Sequence, residues 1–288
     1  MYYGLILLSV VMFGGCFALQ DVYRKMRGSG LRISMESACI GSLAGLAVLL
    51  ALNGCRWEFT PFTLIMASIA AINSIAFTFF TFKALDVINL SLFSLFSMLG
   101  GMVLPFLQGI FFFGEQITVA KVLCVIFICA ALALTVTRGR KGKGYLYYVG
   151  VFVLNGMSGV LSKLFNELDF EKTSAAGYSV WIALCTVVIS GAAWAILSRK
   201  QRTDAPRLTL RAGAVSAVSG SVNKVANFLL VIALAHVDAS VQYPMVTGGV
   251  MIVSTLICFF GERKPSRREL ISVGLAFVGM LLLFVIPI

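Results

Sequence analysis

One lysine, Lys224, stands near the middle of a mostly apolar stretch, residues 208–234, that is long enough to cross a bilayer. A charge at that depth is strongly penalised, so it is either neutralised or used. On the same stretch Ser216, Ser219, Asn223 and Asn227 recur at helical spacing and make one polar stripe, which Lys224 borders. Gly220, one turn earlier, leaves room beside the lysine stem. A polar stripe on a membrane helix faces other helices or water rather than lipid. The chemistry on offer is a positive charge beside neutral hydrogen-bonding groups in a low-dielectric wall, which suits a carboxylate or phosphate. Lys163, nearer one face, offers a second positive charge beside a stripe of Asn155, Ser158, Ser162 and Asn166. Asn73 leads a third set with Ser74, Thr78 and Thr81, and Ser91, Ser94, Ser97 and Gln108 mark a fourth. Tyr243, between Gln242 and Pro244, places a ring and hydroxyl at an expected bend. The candidate binding set is therefore Asn73, Asn155, Lys163, Ser219, Asn223, Lys224, Asn227 and Tyr243.

Two carboxylates lie close to spans. Glu36, near the start of the second, is a candidate to carry a coupling proton, and Asp21 is a weaker one; either can instead pair with Arg24, Arg32 or a nearby lysine. Glu115 and Glu262 each follow a glycine and precede a helix, where a carboxylate favours the N-terminus. No GxSxG, HExxH or GxxxxGK[ST] spacing occurs. RGRKGKG at 138–144 is basic and glycine-rich but lacks phosphate-loop spacing, and reads as a cytoplasmic anchor. Seven cysteines without a CxxC pair and a single histidine, His236, argue against a metal cluster. The expectation is no catalytic residue, no metal and no cofactor.

The elements that must hold these residues follow from composition. The 288 residues are 59% hydrophobic and only 12% charged, with mean hydropathy +0.97. A soluble domain carries about 25% charged residues, and membrane β-strands alternate over roughly ten residues. Apolar blocks of twenty or so residues instead imply an all-α integral membrane protein. Ten spans are expected, near 2–22, 33–52, 61–82, 88–113, 118–137, 145–166, 176–198, 208–234, 239–260 and 268–287. The longest polar stretch, Ser198 to Arg211, leaves no room for a soluble domain. The net charge of +11 sits in short clusters between apolar blocks, so the expected partners are the lipid bilayer and a small molecule, not nucleic acid. The first block has arginines after it and none before, the reverse of a secretory signal.

The two halves of the chain repeat each other. SLFSLFSMLGGMVLPFLQGIFFFGEQ and SVQYPMVTGGVMIVSTLICFFGERK share a serine, a Gly-Gly and a Phe-Phe-Gly-Glu in order, each followed by an apolar helix. AAINSIAFTFF parallels GSVNKVANFLL, aligning Asn73 with Asn223. Residues 1–140 and 145–288 thus form two five-helix repeats, and five being odd, the second enters from the opposite side. With Gly114–Glu115, Gly261–Glu262 and the following Gly274 and Gly279, this pattern resembles the drug/metabolite transporter superfamily, EamA type. The resemblance covers nearly the whole chain and implies ten helices around a central cavity. It implies a secondary transporter for a small polar, anionic or zwitterionic metabolite, or alternatively a proton-coupled exporter of cationic drugs. GxxxG at Gly41–Gly45 adds a close-packing signal.

Loops after odd-numbered spans hold 18 basic residues and the others only Arg56, Lys121 and Lys172. This bias places the odd loops in the cytoplasm of a bacterial inner membrane, with both termini extracytoplasmic. The resemblance implies the reverse. Reporter fusions decide between them: a fusion at Ile288 is expected outside and one at Lys141 inside, and the opposite pattern overturns the charge-based orientation.

Overall fold

The computed structural model describes residues 2–114, 118–135, 144–200, 208–234, 236–237 and 239–285. Ten helices occupy them: α1 (Tyr2–Arg27), α2 (Leu31–Leu52), α3 (Pro61–Val87), α4 (Leu90–Phe113), α5 (Val119–Thr135), α6 (Gly144–Glu167), α7 (Ala175–Lys200), α8 (Leu210–Leu234), α9 (Ala239–Phe259) and α10 (Arg267–Val285). No strand occurs among the described residues. Among the described residues six helices, α1 to α4, α6 and α7, are long and apolar enough to cross a membrane. The fold is all-α and membrane-spanning.

The helices match the expected spans to within two residues, except that α1 and α3 run five residues further. Their polar extensions hold each other. The Arg24 guanidinium reaches Asp21 on its own helix at 2.7 Å and Asp86 at the end of α3 at 2.5 Å. Caps set the other boundaries. Thr60 accepts the Thr63 amide before Pro61 opens α3, and Asn89 accepts the Leu92 amide at the start of α4. Gly114 ends α4 in the left-handed conformation. At α10 the cap is a reciprocal box: the Ser266 amide donates to Glu269 and the Glu269 amide to Ser266. Glu262, expected to fix this helix start, is exposed and lies 3.3 Å from the Lys25 ammonium. Glu115 and the 138–143 loop lie outside the described residues.

Eight helices close a ring in the order α1, α8, α2, α7, α3, α6, α4, α9, and α9 packs on α1. The pair α5 and α10 lies outside it, with α10 against α9. Lipid tails offer no apolar driving force between helices, so small residues that let backbones approach must supply packing. At the α2–α8 seam a Cβ on Gly220 would collide with the Gly41 backbone, and one on Gly45 would meet Lys224 Cγ at 2.8 Å. Gly41 and Gly45 thus do face a helix, as their spacing predicts. At the α4–α6 seam a Cβ on Gly156 would lie 2.6 Å from the Gly100 carbonyl. Residues 37, 41 and 45 meet 216, 220 and 224 in that order, so α2 and α8 run parallel.

The two ends of the ring differ. At the end holding the odd-numbered loops, Phe17, Leu85, Phe93, Phe96 and Val250 pack into one apolar core. Polar contacts staple it: Lys25 with Glu262, Arg263 with the Asp86 carbonyl at 3.0 Å, and Asn89 with Glu269 at 2.7 Å. At the other end the α2–α3 loop clasps the start of α7. The Ser174 amide and hydroxyl both donate to Glu58, at 2.6 and 3.0 Å, and Trp181 Nε1 donates to the Glu58 carbonyl. Trp181, without an assigned role in the sequence, is therefore a loop anchor, with Trp57 and Phe59 packed edge-on against it.

The Ser174 amide, then its hydroxyl, hold the Glu58 carboxyl below its ordinary value of 4.5. A group depressed on folding stabilises the fold above its ordinary value and loses that contribution as pH falls through the folded value. Glu58→Gln is expected to melt below wild type at pH 7, with the gap closing as pH drops under about 4.5. Equal melting temperatures at pH 7 would show that the clasp contributes nothing.

Candidate functional site

Accessibility along α8 locates an inner face. Val218 is 51% exposed on the outer side. Asn227 follows nine residues later, half a turn round the helix at 3.6 residues per turn, and it too is exposed. With α1 and α2 packed on its flanks, α8 thus has accessible surface on two opposite faces, that of Val218 and that of Asn227. Asn227 Nδ2 donates to the Asn223 carbonyl at 2.8 Å and to its side-chain oxygen at 3.3 Å. The Asn223 amide hydrogens and the Asn227 oxygen have no partner among the described residues.

Lys224 adjoins this pair. It is enclosed deep in the bundle yet keeps part of its surface accessible, its ammonium included. No hydrogen bond or ion pair reaches it among the described residues. Its stem passes the bare backbone of Gly45, the space that a glycine there provides. Ser219, expected on the same wall, turns to α1 instead: it is buried, and its carbonyl accepts from Cys16 Sγ.

The same reasoning applies to α6. Val153 and Met157 face outward at 39% and 37% exposure. Ser162 and Asn166, nine residues after each, are exposed on the opposite side, with Ser158 beside them. These three belong to the stripe seen in the sequence, but the binding set kept only Asn155 and Lys163 from it. Asn155 Nδ2 donates to the Ser97 carbonyl of α4 at 2.6 Å. Asn73 Nδ2 donates to the Leu154 carbonyl of α6 at 2.9 Å, and Asn73 is buried in that seam. The two asparagines stitch α6 to α4 and α3, so Asn73 and Asn223, aligned in sequence, have different surroundings. Lys163 Nζ sits 5.3 Å from the centre of the Phe113 ring. Tyr243 lies on α9, its side chain outside the described residues.

Glu36 is 1% exposed and fully engaged. Arg27 grips it through Nε at 2.9 Å and Nη2 at 2.8 Å, and the Tyr23 hydroxyl donates at 2.7 Å. The partner is Arg27 rather than Arg24 or Arg32. Asp21 is taken up by Arg24 and Lys25. No cluster of three metal-ligating side chains occurs among the described residues.

The fold is one already seen in solved structures. Twenty-eight solved chains match, one of them described only as the crystal structure of a protein. It superposes with a TM-score of 0.61 over 96% of this chain and 94% of its own, at 17% identity. At that identity the likeness shows the fold alone. No family model and no curated protein matches the chain.

Breaking a buried ion pair from one side leaves an uncompensated charge, at about 3–5 kcal/mol. Glu36→Gln is therefore expected to lower the melting temperature and the yield of folded protein. The double variant Arg27→Met, Glu36→Met is expected to recover most of the loss. A normally stable Glu36→Gln would show that the carboxylate is not needed for the fold.

Proposed function

We propose that this chain is a secondary active transporter that moves a small polar, anionic or zwitterionic metabolite through a central cavity by alternating access. The observation that carries the reading is Lys224, an accessible ammonium deep in the bundle with no partner among the described residues. A structural lysine in lipid would be matched by a carboxylate or backbone carbonyls. An unmatched one on an inner wall is what an anion-binding site requires before its ligand arrives.

In this reading all ten helices span the membrane, as two inverted repeats of five. The neighbour relations support it. Exchanging each helix with the one five places along turns α1–α8 into α6–α3 and α1–α9 into α6–α4, and both pairs exist. Directions agree as well: α1 runs antiparallel to α8, as α3 does to α6, and α2 runs parallel to α8, as α3 does to α7. Members of the drug/metabolite transporter superfamily of EamA type, which the sequence resembles, share this plan. The packed, stapled end is the closed gate in this reading, and the Lys224 wall opens toward the other end. With the charge-based orientation, that other end is extracytoplasmic, in a bacterial inner membrane.

Flux into proteoliposomes tests the class: a carrier saturates and shows counterflow, a channel does neither, and a scaffold gives no flux. An ion pair at ~4 Å is worth about 4 kcal/mol at an effective dielectric of ~20 before desolvation, and a third of that changes affinity roughly tenfold. Lys224→Ala and Lys224→Gln are expected to insert normally and lose about tenfold or more in uptake of an anionic substrate. Lys224→Arg keeps the charge with altered shape and is expected to retain part of it. Normal anion transport by Lys224→Gln would overturn the reading.

A further inference from the structure

Two inner walls carry accessible polar groups, and they lie opposite each other. Around the ring α6 is four places from α8 in either direction. Both C-termini lie at the end holding the α2–α3 and α6–α7 loops, since α8 runs parallel to α2 and Glu58 holds Ser174. Measured back from those C-termini at 1.5 Å per residue, Ser158 lies about 14 Å deep and Lys224 about 15 Å, so these two match in depth, while Ser162 and Asn166 lie about 8 Å and 2 Å deep along the same stripe.

The walls differ in chemistry. The α8 wall offers the Lys224 ammonium, the Asn223 amide hydrogens and the Asn227 side-chain oxygen, none of them with a partner among the described residues. The α6 wall offers Ser158, Ser162 and Asn166, all uncharged and accessible. Ser162 spends its proton on the Ser158 carbonyl at 3.0 Å, leaving its oxygen as an acceptor. No described carboxylate shares this depth. Glu36 is held by Arg27, Glu58 by Ser174, and Asp21, Asp86, Glu262 and Glu269 lie at the opposite end. Glu167, Asp169 and Glu171 stand at or beyond the end of α6.

Resting on the reading of Lys224 as an anion anchor, we infer that the ligand carries one anionic group and an uncharged body rich in hydroxyl or amide groups. The anion meets Lys224, and the body reaches across to the α6 wall. A zwitterion would bring an ammonium to a space with no described carboxylate. An alkyl anion would leave Ser158 unpaired once water is displaced, which such sites discriminate against.

Four probes separate these features: gluconate (anionic polyol), hexanesulfonate (alkyl anion), sorbitol (neutral polyol) and N-methylglucamine (cationic polyol). Each is titrated against the full chain in nanodiscs, reading thermal stabilisation. Gluconate is expected to half-saturate at a concentration about tenfold or more below the other three. In Lys224→Gln it falls to the sorbitol level. In Ser158→Ala it falls to the hexanesulfonate level while hexanesulfonate itself is unchanged. Each variant is used only if its unliganded melting temperature matches wild type, with Ser162→Ala as the substitute on α6. Hexanesulfonate binding as tightly as gluconate, an α6 variant that binds gluconate normally, or no stabilisation by gluconate overturns this inference and leaves the Lys224 anchor standing. Sorbitol or N-methylglucamine binding as tightly as gluconate, or no effect of Lys224→Gln, overturns both.

Discussion

The close approach of helix backbones at glycine is the constraint on which the ring depends. In lipid, a helix gains nothing by covering apolar side chains with other apolar side chains, so contact must come from dense packing and interhelical hydrogen bonds. Gly41, Gly45 and Gly220 bring α2 and α8 into backbone contact, and Gly100 and Gly156 do the same for α4 and α6. Those are the two seams beside the polar walls. Side-chain amides then lock what the glycines permit: Asn73 and Asn155 donate to carbonyls of α6 and α4. At the α2–α8 seam the bare backbone of Gly45 also determines where the Lys224 stem can pass, so one packing device sets both a helix distance and the position of a charge.

The charges divide by location and by partnership. At the end with the odd-numbered loops, Arg24 ties Asp21 to Asp86 within the first half, while Lys25–Glu262, Arg263 with the Asp86 carbonyl and Asn89–Glu269 join the first half of the chain to the second. Several of these are partly exposed, so each is worth little alone. Their position matters more than their strength. They staple a plug of aromatic and aliphatic side chains that is already closed, and contacts worth little singly can be undone without unfolding the helices.

Much of the fold was legible because the membrane simplifies the sequence. Apolar blocks delimited the spans, and helix ends missed by five residues only where α1 and α3 continue as a salt-bridged polar stub, which hydropathy does not register. Lys224 was legible because a lone charge in an apolar block is conspicuous. The serines and asparagines were less so. Spacing puts Ser219 and Asn223 on one stripe, yet α8 packs against α1 at Ser219 and faces open space at Asn223. A helical stripe wider than the gap between two neighbours is divided by them, and the neighbours are unknown until the ring order is known. For the same reason Asn73 and Asn223 align in sequence without sharing a role. The Ser266–Glu269 box was readable from its spacing, although Glu262 drew attention first.

The competing readings turn on two charges near the spans, and their states are opposite. Glu36 is sealed, gripped twice by Arg27 and once by Tyr23, and Arg27 Nη1 remains without a partner in the same pocket. For such a carboxylate to exchange a proton or meet a cation, the pair must separate and the arginine must find another anion. The described residues supply no second carboxylate to Arg27. Lys224 is half-buried, has no partner among the described residues and adjoins Asn223 and Asn227, which keep hydrogen-bonding capacity. In the proposed function, a cation entering the ring would meet this ammonium with no described carboxylate beside it to offset the charge, whereas an anion would pair with it. For the transporter proposed above, this asymmetry between a satisfied acid and a base with no partner among the described residues is the argument for an anionic guest over a cationic one.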